Sequence, residues 1–287
     1  MAPRVGLLAA LTPDLTALRR SRDFRVIEIG AIVASLGAQA ALVAIPFQVF
    51  VLTGSTALVG LIGAAELVPM VVVSLVGGAI ADRVDRRRTL LVAQAGTFAS
   101  AAALAALAFS SHPPVWLIFV LAALLAGAST LDSLSRSSMI ASLTGEWLRS
   151  AVAFSFGISQ VTAIVGPGLG GVLIAAAGVR WVYAIDAASV VVTVFAALTI
   201  PPQRPHGPPP TESIGASIAG GLRHIRSNQA LLGSYVIDLC AMTFGMPRAL
   251  FVVLSLRTFH AGAAGTGLLY ASVSFGAAIA APADTDA

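Results

Sequence analysis

The chain has 287 residues, is 57% hydrophobic, and carries 17 basic against 13 acidic residues for a net charge of +4, with a mean hydropathy of +0.91. So apolar a composition excludes a soluble globular core and suits helices that cross a bilayer, whose lipid is then an obligatory partner. Every basic side chain is arginine, so the lysine needed for a phosphate-cradling Walker loop or a Schiff base is absent.

An isoelectric point near 10.2 invites a nucleic-acid reading. The arginines fall between apolar stretches and form no basic domain, so no nucleic-acid partner is expected. The lone Cys240 allows no intramolecular disulfide, and His112, His206, His224 and His260 show no ligand spacing, so neither metal nor cofactor is expected. No nucleophile, base and orienting group stand at a catalytic spacing, which argues against an enzyme.

Residues 1–25 lack a small-residue cleavage site after their short apolar stretch and read as a cytoplasmic leader. A crossing takes about 20 apolar residues. Such stretches run from Val26 to Leu52, Ala57 to Ala81, Thr89 to Phe109, Val115 to Ser138, Val152 to Ala177 and Trp181 to Ile200, giving a six-helix bundle over 26–200. Pro201 to Pro210 cannot continue a helix and reads as a stiff linker. Within the same 201–230 region, Ile214, Ile218, Leu222 and Ile225 form the stripe of a helix lying on the membrane surface. Residues 231–287 hold a seventh span, Leu231 to Leu256, and a short eighth, Gly265 to Ala281.

With the N-terminus inside, fourteen arginines lie on the cytoplasmic side, against Arg180 and Arg257 outside. The positive-inside rule therefore predicts a cytoplasmic N-terminus. Asp82, Arg83, Asp85, Arg86, Arg87 and Arg88 crowd into seven positions between spans 2 and 3. There they anchor the cytoplasmic ends of both spans and favour the negative end of the preceding helix dipole.

Gly166, Gly168 and Gly171 satisfy a dinucleotide-binding pattern, but they lie in a long apolar span with Pro167 inside it and no strand before it. The same residues are expected to serve close packing, Gly166 and Gly170 forming a small-xxx-small face where Pro167 bends the helix.

Ionisable groups within spans cost roughly 2.5 to 3.5 kcal/mol at mid-helix and so mark candidate functional positions. Glu66, some nine residues into span 2, is the most central and is a candidate proton carrier. Asp238 and Arg248 in span 7 are about 15 Å apart along the axis, so each needs a partner from another helix. Asp132 and Arg136 stand at i and i+4 in the favourable acid-first order and are expected to form a structural pair. Glu28 and Asp186 lie nearer span ends, where contact with water is expected, and Gln48 beside Pro46 is a candidate to line a cavity.

The stretch Gly78-Ala-Ile-Ala-Asp82-Arg83-Val-Asp85-Arg86-Arg87 resembles the loop 2-3 signature of the major facilitator superfamily, with Asp85 where glycine is usual. Gly166-Pro167-Gly-Leu-Gly170-Gly171 resembles that superfamily's antiporter motif, with Thr162 in place of an earlier glycine. Phe24-Arg25, Ala44-Ile-Pro46-Phe-Gln48-Val, Thr53-Gly-Ser55, Leu131-Asp132-Ser-Leu-Ser-Arg136 and Phe244-Gly-Met-Pro247-Arg248 are similar to the branch holding the enterobactin exporter and macrolide efflux proteins. The resemblance implies an all-α membrane protein of two six-helix bundles that exports small amphipathic molecules, such as siderophores or drugs, in exchange for protons. It also implies that Asp82 and Arg83 help hold an inner gate against the second bundle. Four spans of that pattern are missing, so the chain is expected to be incomplete, and a separate chain completing the second half stays open as a partner. Two alternatives remain: a membrane fragment that transports nothing, and an importer of the same fold.

Overall fold

The computed structural model describes residues 15–81, 84–203, 214–240 and 248–280; among these, no strand occurs. In chain order the helices are α1 (Thr16–Arg20), α2 (Arg22–Thr53), α3 (Thr56–Ala81), α4 (Arg86–Ala108), α5 (Val115–Thr144), α6 (Leu148–Ala177), α7 (Val179–Leu198), α8 (Ile214–Ser227), α9 (Gln229–Cys240), α10 (Arg248–Val253) and α11 (Gly262–Ala280).

Six stretches of the described chain are long and apolar enough to cross a membrane. One of them, Val115–Ala177, runs for 63 residues. It folds as α5 and α6, reversed by a 3-10 turn at Gly145–Trp147 whose first residue has a φ of 48°. That backbone angle suits glycine, so the sequence itself carries the reversal. The protein is therefore a multi-pass membrane protein with a helical bundle. At 32 residues, α2 is roughly 48 Å long, more than a hydrocarbon core of about 30 Å, so it tilts or projects beyond the bilayer.

The seventh span, expected as one helix over Leu231 to Leu256, is described in pieces: α9, then α10 continuing into a π turn at Leu254–Thr258. Residues 241–247 between them lie outside the described residues.

Neighbouring helices run in the lateral order α3, α5, α4, α7, α2, α6, α11; α2 also touches α3, α5, α10 and α11, and α11 joins the bundle mainly through α6. Small residues set these approaches, because lipid supplies no hydrophobic force between helices and close backbone contact must hold them together. A Cβ at Gly30 would stand 3.2 Å from Thr193 Cα, and one at Gly37 would stand 2.9 Å from Asp186 Cα, so α2 lies directly on α7. The main apolar cluster, with Val43, Val49, Leu104, Ile118 and Val182, fills the end of the bundle opposite the arginine-rich one. A smaller one at the arginine-rich end seats Phe24 edge-on to Phe154, with ring centroids 6.4 Å apart. By contrast α3 presents Leu67, Val68 and Val72 outward, each at least half exposed, as a lipid-facing helix does.

Candidate functional site

The charged loop before α4 works as a clasp. Asp85 caps α4 by accepting from Arg87 N at 2.9 Å, and the same Oδ1 accepts from Gln203 N at 3.1 Å. Arg87 donates from Nε to Ala197 O at 3.0 Å and from Nη2 to Leu198 O at 2.9 Å, while Arg86 donates to Ser138 O at 2.9 Å. The carbonyls they meet thus belong to the C-terminal turn of α7 and the last turns of α5; the expected stabilisation of the preceding helix α3 is not what these contacts make. Helix C-termini leave four carbonyls without partners, and a guanidinium satisfies two at once. Gly78 lies in the last turn of α3, whereas Asp82 and Arg83 lie outside the described residues.

Arg87→Ala is expected to lower stability by about 1 to 2 kcal/mol, a discounted value for charge-assisted bonds at a partly exposed site. A thermal melt of the detergent-purified protein checks it, with Arg87→Lys recovering only part because one ammonium cannot reproduce the fork.

The span 5 glycines all lie within α6, which removes the strand and turn that a dinucleotide site requires. They divide between two neighbours. A Cβ at Gly166 would meet the Gln39 side chain and one at Gly170 would stand 2.7 Å from Ala40 Cα, both on α2. A Cβ at Gly171 would stand 2.7 Å from Ala263 O and 2.8 Å from Gly267 Cα, on α11. Pro167, buried in the same turn, offers its carbonyl to the Gly267 contact. This turn of α6 makes the largest contact between the first six spans and the helices that follow them.

Beneath it lies a cavity of about 680 Å³ walled by α2, α4, α5, α6 and α7. Its polar centre is the Asp132–Arg136 ion pair, 2.6 Å between Oδ2 and Nη2. Gln94, from α4 and 2% exposed, donates to the other Asp132 oxygen at 2.5 Å. Arg136 also faces Glu28, which sits beside Ser155. Asp186 lines the same cavity from α7, 1% exposed. Neither Asp186 oxygen nor Glu28 Oε2 finds a hydrogen-bond partner among the described residues.

The water contact expected for Glu28 and Asp186 is therefore not found: both are buried, at 3% and 1% exposure. Distance from a span end measures depth in a single helix, but burial depends on the neighbours. At Gly37 the missing side chain leaves room for Asp186, whose Oδ1 would stand 2.8 Å from a Cβ there. Gln94 was not singled out by sequence; a glutamine amid the apolar residues of span 3 was the available signal.

Gln48 is 6% exposed and accepts a 2.8 Å hydrogen bond from Tyr183 Oη. It lines a separate cavity of about 430 Å³ at the opposite end of the bundle. That end is tied by its two arginines: Arg180 lies over the Phe109 ring at 5.2 Å, and Arg257 lies over Phe50 at 5.1 Å while donating to Gly54 O. Glu66 stands apart from both cavities, half-buried on α3, within electrostatic reach of Tyr270 on α11, as is Arg248. Tyr270 Oη in turn donates to Arg248 O at 3.1 Å. The backbone of Asp238 lies in α9; the group of Glu66, Tyr270 and Arg248 is separate from the Asp132 pair.

Residues 13–285 match the family described as transmembrane secretion effector. Over 269 residues the chain is 28% identical to the enterobactin exporter EntS of Citrobacter koseri, and 27% identical to those of Salmonella typhi and Escherichia coli O127:H6. Each alignment covers 93% of this chain, which spans 64% of the length of those relatives.

Proposed function

Because the chain belongs to the transmembrane secretion effectors of the major facilitator superfamily, we propose that it moves small amphipathic molecules out of the cytoplasm in exchange for protons. The arginine-rich end faces the cytoplasm in this reading, and no cofactor takes part. The carrying observation is the cavity of about 680 Å³, a volume within the roughly 300 to 1,000 Å³ of small-molecule sites, holding buried ionisable groups that a membrane interior otherwise disfavours. The names of the relatives support the direction, outward, and a siderophore as cargo.

Alternating access requires that the first six helices and the second half move against each other around a site near the midplane. The α6 to α11 contact at Gly171 and Gly267 is the largest described contact between them. Glu66 lies at another contact between them, where α3 meets α10, and Tyr270 is within electrostatic reach of both Glu66 and Arg248. A carboxylate there exchanges one proton as the halves separate, and this couples the proton gradient to the motion.

Energised cells expressing the chain, loaded with ethidium or 2,3-dihydroxybenzoate, test the reading. Protonophore-sensitive loss of either probe above the empty-vector rate is expected, and no such loss overturns export. Glu66→Gln is expected to slow it at least about tenfold at equal protein level, the contribution of a group whose proton transfer matters. Undiminished efflux from Glu66→Gln removes Glu66 from the coupling.

A further inference from the structure

The cavity under α6 is asymmetric in charge. Asp132 and Asp186 line it and Glu28 adjoins it, whereas Arg136 is the one cation on its wall among the described residues. Arg136 is already held by Asp132 at 2.6 Å and faces Glu28, so its guanidinium is committed on two sides. Asp186 has no such partner among the described residues: both oxygens lack hydrogen bonds, and the titratable group that couples to it electrostatically is Tyr183 on its own helix. From α4 and α6 the facing residues, Gln94, Thr97 and Ser159, carry no charge. A buried carboxylate without a countercharge is destabilising, and a ligand that supplies the opposite charge removes that cost.

An anion entering the same space meets like charge at low local dielectric, where repulsion is several-fold stronger than in water. The remaining wall suits an organic cation. Ala31, Ala34 and Val190 give apolar surface, and Phe156 adds an aromatic ring, a group that attracts ammonium or phosphonium when the cation lies over its face. We propose that Asp186 is the countercharge for the transported molecule, so that the cavity takes an amphipathic organic cation in preference to an anion. This deepens the export reading and rests on it. Between the two cargo classes, it selects the cationic drug-like molecule over the acidic siderophore.

Tetraphenylphosphonium and tetraphenylborate have nearly the same size and shape and opposite charge, so their comparison isolates the electrostatic contribution. Equilibrium binding of each to the detergent-purified full chain is measured, with partition into protein-free micelles subtracted. The cation is expected to bind at least about tenfold tighter than the anion. Asp186→Asn is expected to bring that ratio close to one, and Asp186→Glu to retain it. A wild-type ratio at or below one overturns the proposal, as does a ratio unchanged in Asp186→Asn. Should Asp186→Asn fail to fold, the wild-type ratio and the Asp186→Glu protein decide the question. Loss of cation preference with efflux of 2,3-dihydroxybenzoate intact overturns the assignment to cations alone. Cation preference with no protonophore-sensitive efflux of any probe overturns the export reading alone.

Discussion

Gly170→Ala is expected to yield little folded protein, although it adds a single methyl group to a helix. That methyl would stand 2.7 Å from Ala40 Cα and 3.1 Å from Ala40 O. What it meets is backbone, which cannot rotate away, so α2 and α6 must move apart along their whole contact. Overpacking of this kind costs about 1 to 3 kcal/mol, and the upper end applies where backbone is the obstacle. In a membrane the loss weighs more, because close packing is the main attraction between helices once both are in lipid. Gly168→Ala is the paired control: nothing lies within 4 Å of a Cβ at that position. There the alanine is expected to be neutral or to gain up to about 1 kcal/mol from helix propensity. The monodisperse fraction on size-exclusion chromatography and the melting midpoint measure both. Equal behaviour of the two variants would contradict the close packing of α6 on α2 at Ala40.

Arg136→Ala is expected to be the most damaging change on the cavity wall. Removing the guanidinium leaves Asp132 and Glu28 without their shared cation in a site lined by five helices. Breaking a buried pair costs about 3 to 5 kcal/mol; the pair's side chains keep 18% and 15% exposure, so about 2 to 3 kcal/mol is expected here. Most of this loss comes from the carboxylates left behind rather than from the bond removed. The double variant Asp132→Asn with Arg136→Gln is accordingly expected to recover much of the stability, because Gln94 can still donate to the asparagine oxygen. A melt series over the two single variants and the double one reads the coupling directly. If the double variant loses the sum of the two single losses, the pair is not coupled.

Both expectations show how unevenly the site is written along the chain. The span 5 glycines announce a close contact by their spacing, and the acid-first spacing of Asp132 and Arg136 announces their pair. Neither spacing says that Gly170 meets Ala40 while Gly171, one position on, meets α11. Adjacent positions on a helix point about 100° apart, so one motif serves two neighbours, and only the bundle's lateral order assigns them. The loop arginines illustrate the same limit. Their density marks an end of the membrane bundle, but their partners, Ser138, Ala197 and Leu198, are 52 to 111 residues away in sequence.

By itself the sequence determined the properties that solvent and chain length dictate: spanning stretches, the polar breaks between them, and the end at which arginine gathers. Those properties are local, since each stretch answers to lipid or water without reference to its neighbours. The tertiary structure alone decided that Glu28 and Asp186 are buried, that Gln94 holds Asp132, and that Glu66 stands across from Tyr270. Burial and charge pairing are properties of several helices at once. A carboxylate placed by its own helix near water is withdrawn from it when Gly37 lets α2 close over α7.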